Sequence, residues 1–371
     1  MQKLDRRSFV VGALSAGAWA SSISGAAQAA QVESLGELAA EKGILFGSMI
    51  KMRLLNQDDR YNAMMREQCK LFTCPLMHWD LLAKKQGEYD FSRPDGDQAW
   101  AEANGMQFRG HAMIWSDHIP KWFGRLKDRA SAEKAIRDHV HTLGTRYAGK
   151  MQSWDVVNEA IKPNVGRPDG LDESVLTKQI GPEFLDIAFQ AAREADPKAE
   201  LVYNDGSNTY DIPDQELRRK ALLGVVDRFK KNNVPIDCVG LHAHLLTEYN
   251  PQFNDKLLEN FLQEISSRGV KIVIAELDVG DKGSPADVKV RDAEVAALYK
   301  RFLDIALANP AVHQVITWGL TDRDSWVVRG DMKVFKRNDD ATPRPLPFDR
   351  RYRPKPAFYA IADAFKAAPK R

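Results

Sequence analysis

From Lys42 onward, short apolar runs alternate with longer amphipathic ones. The runs at 43–49, 72–77, 107–114, 152–158, 200–204, 236–242, 271–277 and 313–319 have the length and apolar character of buried strands. Between them, Ser131–Tyr147, Pro182–Glu194, Asp214–Lys231, Asn254–Arg268 and Val288–Ala308 carry apolar residues at helical spacing. Ser131 with Glu133 reads as the start of one of these helices. Pro356 opens a last helix, running to Lys366, at the position where no backbone N–H is needed. Eight strands, each followed by a helix, predict a single (β/α)₈ barrel. A doubly wound open sheet is the runner-up, but no Gly-x-Gly-x-x-Gly turn follows the first strand.

The first thirty residues read differently. Arg6-Arg7-Ser8-Phe9 precedes a mild apolar run from Val10 to Ile23, and Ala27-Gln28-Ala29 offers small residues for cleavage. That pattern predicts a twin-arginine signal over 1–30, removed from a catalytic domain over 31–371, and a periplasmic or secreted protein exported after folding. An ordinary secretory signal that happens to carry two arginines is the alternative. Lys plus Arg number 53 against 51 Asp plus Glu, so no net field points to nucleic acid or a membrane surface. A soluble monomer is expected. Three cysteines (Cys69, Cys74 and Cys238) leave at least one unpaired, and their spacing does not suggest a structural zinc site.

In a barrel, function collects where the strands end. Those ends deliver His78-Trp79, His111 with Trp115, Asn158-Glu159, Asn204-Asp205, His242 with His244, Glu276 with Asp278, and Trp318. Two glutamates closing separate apolar strands are what a retaining glycosidase needs: one protonated carboxyl to feed the leaving oxygen and one carboxylate to attack the anomeric carbon, ~5–5.5 Å apart. A single such Glu would more often cap a helix or pair with a cation. Two of them, flanked by Trp and His, favour the catalytic reading.

Trp154-Asp155-Val156-Val157-Asn158-Glu159-Ala160, Gly110-His111 with Trp115, Pro120-Lys121-Trp122, Glu276-Leu277-Asp278, and Trp318-Gly319-Leu320-Thr321-Asp322 with Ser325-Trp326 resemble glycoside hydrolase family ten, the retaining endo-β-1,4-xylanases. The closing segments 345–349 and 352–357 match as well, so the likeness spans the mature chain. It implies Glu159 as acid/base and Glu276 as nucleophile. It further implies Asn158, His111, His244, Trp115, Trp318, Trp326, His78 and His242 as substrate-binding residues, with Asp278 orienting His244. A polysaccharide substrate follows, and no metal or organic cofactor is implied.

Departures fall on the sugar-binding residues. The family's Glu-Asn-x-Met-Lys-Trp reads Cys74-Pro75-Leu76-Met77-His78-Trp79; its His-x-Gln after the tryptophan reads Ser116-Asp117-His118; its Gln two residues before His244 is His242. These changes spare both carboxylates and leave open another β-linked polymer, such as a bacterial exopolysaccharide or a β-glucan. His242-x-His244 with Glu276 also resembles the ligand set of metal-dependent amidohydrolases. A non-catalytic carbohydrate-binding barrel is the remaining alternative.

Overall fold

The computed structural model describes residues 33–329 and 333–371, so the proposed signal segment lies outside the described residues. Eight parallel strands close into a barrel in sequence order: β1 (Leu45–Met49), β2 (Leu71–Cys74), β3 (Gln107–Trp115), β4 (Ser153–Asn158), β5 (Glu200–Asp205), β6 (Cys238–Leu246), β7 (Lys271–Gly280) and β8 (Val312–Thr317). Most expected strands fall within two or three residues of these bounds. The clearest differences are at β2, which stops at Cys74 before Pro75, and at β6 and β7, which run on to Leu246 and Gly280. Proline has no N–H to give a ladder, whereas β6 and β7 continue to pair as far as Leu246 opposite Gly280. That extra length carries His244 and Asp278.

Helices cover the outside of the barrel because each buries one apolar face on it. The helix Glu183–Ala195 buries Phe184, Leu185, Ile187, Ala188 and Phe189. Each of its large side chains contributes roughly 1.5–3 kcal/mol on leaving water. The helix expected from Ser131 begins earlier, at Arg129, because the Asp128 carboxylate accepts the Ser131 N–H at 2.8 Å and caps it. Helices Asp59–Gln68 and Ser92–Ala103 fill the places after β1 and β2. None of the described helices is long and apolar enough to cross a membrane. All three cysteines are buried and free.

The barrel interior is layered. Leu71, Val202, Cys238, Val273, Ala275 and Ile316 form an apolar floor. Above it the filling turns polar. Arg109 on β3, fully buried, donates to Ser153 Oγ at 2.9 Å and pairs with Asp155 on β4; Asp155 Oδ2 in turn lies 2.9 Å from His111 Nδ1. A buried ion pair is tolerated only while both partners are present. The variant Asp155→Ala is therefore expected to lose about 3–5 kcal/mol of unfolding free energy, because it strands the Arg109 charge. Denaturant titration checks this, and a loss below about 1 kcal/mol would show that Arg109 finds another partner.

Candidate active site

Register shifts in the barrel decide which side chains reach the cleft. On β7, Val273 and Ala275 belong to the inner floor, while Ile272, Ile274, Leu277 and Val279 belong to the core under the helices. Strict alternation would send Glu276 outward. Ile274 pairs with Leu241 but Glu276 already pairs with His242, so Ala275 is an extra residue that resets the alternation. Glu276 and Asp278 then face inward. On β4, Asp155 pairs with Val202 and Val157 with Tyr203, leaving Val156 extra. Trp154, Val156 and Val157 pack outward, and Asn158 turns into the barrel. Glu159 follows with φ 51°, a strained setting for a residue with a Cβ. Its N–H is held by Asn204 O at 2.9 Å. Strain at such a point suits a side chain that must be aimed.

Close approaches inside the mouth need glycine. A Cβ on Gly240 would lie 2.2 Å from Asn204 Oδ1, and one on Gly206 would lie 2.8 Å from His242 Nδ1. Both side chains occupy the space those glycines leave.

Glu276 is almost fully buried, yet its carboxylate is surrounded by donors. Asn204 Nδ2 donates to Oε1 at 3.1 Å, His242 Nε2 lies 3.0 Å from the same oxygen, and His244 Nε2 lies 3.1 Å from Oε2. His111 Nδ1 stands 3.9 Å away. Burial works against the charge, but the neighbouring imidazoles outweigh it and hold Glu276 well below the usual carboxylate range.

His244 is the fixed cation of the group. Burial opposes its charge, but Asp278 Oδ1 at 3.0 Å from Nδ1 and Glu276 raise its pKa to about 10. Trp326 Nε1 donates to Asp278 Oδ2 at 2.6 Å and fixes that carboxylate. Both nitrogens of a protonated His244 donate, so it has no lone pair for a cation. His242, His244 and Glu276 also lie close enough together to hold a metal.

Glu159 behaves in the opposite way. Burial, then the charge of Glu276, then Asp205 raise it to about 7. Asp205, wholly buried, is itself pushed up to about 6 by burial, although the Gly206 N–H, the Tyr203 hydroxyl and the Ile161 N–H all donate to it. His242 stands between the two glutamates, with Nδ1 3.5 Å from Glu159 Oε1 and Nε2 near Glu276 and 3.2 Å from Asn158 Oδ1. Burial lowers its pKa to about 4, so the ring is neutral at neutral pH. A hydrogen on Nε2 serves Glu276 and Asn158, and the Nδ1 lone pair faces a protonated Glu159.

These groups lie in one cleft of about 850 Å³, which His78, His111, Trp115, Asn158, His242, His244, Trp318 and Trp326 also line. The Trp318 ring sits 5.3 Å from that of His111, and Trp326 sits 4.7 Å from His244. Asn158 Nδ2 has no hydrogen-bond partner among the described residues. Asp278 stands behind His244 rather than in the cleft. Trp79 is also out of reach: it is buried and stacks on His139 at 4.3 Å as a core anchor. Cys74 turns away as well, its Sγ 3.0 Å from Asp97 Oδ2. Sequence reasoning places Asn204 at a strand end but gives it no role, and it gives none to Tyr210, which lines the cleft. Two polar residues ending β5 are the visible signal for the first; nothing local marks the second.

Comparison with known proteins identifies the family. The chain is 32% identical over 290 residues to "Endo-1,4-beta-xylanase B" of Thermotoga neapolitana, covering 77% of this chain and 78% of that protein. It is 30% identical over 333 residues to "Endo-1,4-beta-xylanase 3" of Hypocrea jecorina, covering 89% and 85%. The crystal structure of native xylanase 10B from Thermotoga maritima superposes with a TM-score of 0.80 at 30% identity, over 90% of this chain and 98% of that one. The sequence model of Glycosyl hydrolase family 10 matches residues 34–364. With that span covered by one family's pattern, the chain belongs to glycosyl hydrolase family 10.

Proposed function

We propose that the protein is a retaining, endo-acting hydrolase of β-1,4-linked polysaccharide of the xylan type, working by double displacement. The observation that carries this is a pair of cleft glutamates on either side of His242, one kept ionised and the other kept protonated up to about 7.

In the first step a Glu276 oxygen attacks the anomeric carbon, and Glu159 gives its proton to the departing glycosidic oxygen. The carbon–oxygen bond to the leaving sugar breaks as the bond to Glu276 forms. Once Glu276 is esterified its negative charge is gone. That removes one of the forces raising Glu159, whose pKa falls as it must now act as a base. Ionised Glu159 then takes a proton from water, the oxygen attacks the anomeric carbon, and Glu276 leaves as carboxylate. Asn158 Nδ2 is free to donate to a sugar hydroxyl beside the cleaved bond, and Trp318 and Trp326 offer ring faces for stacking.

A second reading concerns the substrate's decoration. Pro75, His78 and His118 line the cleft where the family resemblance implies Asn, Lys and Gln. Proline has no N–H, and a buried imidazole is shorter than lysine, with burial holding the His78 pKa near 2. A sugar hydroxyl left without its partner costs on the order of 1–3 kcal/mol, about tenfold or more in specificity. The sugar accepted on this side is therefore bulkier or differently substituted.

Glu276→Ala is expected to abolish hydrolysis, and azide to restore turnover with inverted products by entering the vacated space. Glu159→Ala should slow poor leaving groups far more than activated aryl glycosides, since only the former need a proton. Product analysis of both variants checks the assignment; near-normal activity in Glu276→Ala, or equal losses on both substrate types in Glu159→Ala, overturns it. Unsubstituted xylan should be cleaved at least tenfold less efficiently than by ordinary family members. Pro75→Asn with His78→Lys should raise kcat/KM on xylan, whereas Cys74, buried against Asp97, is not a position to restore. Full family-like efficiency on plain xylan in the unmodified chain would contradict this reading of the subsites.

A further inference from the structure

His78 is the least explained polar side chain of the cleft. It sits in the turn after β2, only 8% exposed, and neither ring nitrogen has a hydrogen-bond partner among the described residues. Leaving buried donors and acceptors unmade costs about 1–3 kcal/mol each. Aromatic rings surround it: His111 at 5.6 Å, Trp115 at 5.1 Å and His118 at 4.0 Å, the last tilted by 36°. His118 ends the turn after β3 and holds Asp80 Oδ1 at 2.9 Å from its Nδ1. One ligand atom from each of His78, Asp80 and His118 lies within 4.8 Å of the others.

A hydrogen-bonded His118–Asp80 pair at a partly exposed position can stand alone, as a surface ion pair worth at most about 1 kcal/mol. Such a pair places no hydrogen-bond partner near the His78 ring nitrogens. A sugar hydroxyl could satisfy His78, but it would not account for a second imidazole and a carboxylate gathered at the same point. Two imidazoles and a carboxylate are the donor set of a zinc-like cation, and the His78 ring nitrogens are buried and unpartnered among the described residues. The contrast with His244 is direct. There both nitrogens already face carboxylates, whereas His78 has no hydrogen-bond partner among the described residues.

We propose that His78, Asp80 and His118 form a binding site for a divalent transition-metal cation of the zinc class, on the β2–β3 wall of the cleft. The two imidazoles come from adjacent barrel loops, so the site is assembled by the pairing of β2 with β3 rather than by a local motif. Three protein ligands leave a coordination position open. Because His78 and His118 both line the cleft, that position is available to a hydroxyl or carboxylate of a bound sugar. The cation takes no part in the two-glutamate chemistry; it changes what the wall can hold.

Isothermal titration of zinc chloride into the chelator-treated protein at neutral pH tests this without any substrate. One equivalent should bind, with affinity falling at least tenfold in Asp80→Asn and in His78→Gln. His244→Gln, which disrupts the His242–His244–Glu276 group, should leave that equivalent in place. Zinc should also raise the melting temperature of the unmodified chain, and do so less in Asp80→Asn, whose partly exposed position makes it the safer variant for folding. The proposal is overturned if no zinc binds, if Asp80→Asn and His78→Gln bind it as tightly as the unmodified chain, or if His244→Gln abolishes binding.

Discussion

An ionised carboxylate buried in the mouth of a barrel must be surrounded by donors, and Glu276 sets that requirement for everything near it. Asn204 on β5, His242 and His244 on β6, and His111 on β3 all converge on it. Two of these are held in turn from behind. Asp278 and Trp326 fix His244, while Arg109 and Asp155 fix His111. The polar layer above the apolar floor is thus one connected network, stabilising charges that would be costly one by one. The glycines at 206 and 240 belong to the same requirement, since side chains there would displace His242 and Asn204.

The same network gives the two glutamates different protonation. Glu159 has no comparable set of donors among the described residues, is partly open to the cleft, and feels both Glu276 and the buried Asp205. One carboxyl is stabilised as an anion and the other as an acid because their surroundings differ, not because the residues do. His242 makes the separation compact, as its neutral ring turns one nitrogen to each glutamate. Glutamine, which the family resemblance implies at this position, could offer a donor and an acceptor in a similar way. The substitution therefore preserves the bridge and replaces an amide by a ring that can also titrate.

Much of this was legible in the sequence. Apolar runs of strand length predict all eight strands, and the polar residues ending them mark the cleft, because a parallel barrel buries strand middles and opens at their ends. Orientation was harder to read. Period-two alternation along 271–277 would put Glu276 on the helix side, and only the extra residue Ala275, which is a matter of register with β6, turns it inward. Val156 does the same for Asn158. Such shifts come from pairing between distant segments and leave no local trace. For the same reason nothing in the sequence links Asp80 to His118, which stands out only as a departure from the family pattern, since their meeting depends on how two loops pack. Cys74 shows the converse. Its place in the motif suggests a cleft residue, but its side chain turns to Asp97 in the core.

The central claim is that the barrel's polar network separates the ionisation of two carboxyls in one cleft. Carbon-13 NMR titration of glutamate-labelled protein measures this directly, with resonances assigned through Glu159→Gln and Glu276→Gln. The account predicts that Glu159 titrates near about 7, protonated below and ionised above, and that Glu276 stays ionised throughout the accessible acid range. In Glu276→Gln, with the neighbouring charge removed, the Glu159 value should move down toward the ordinary carboxylate range. A Glu159 that already titrates in that range, or one that does not move when Glu276 loses its charge, would contradict the account.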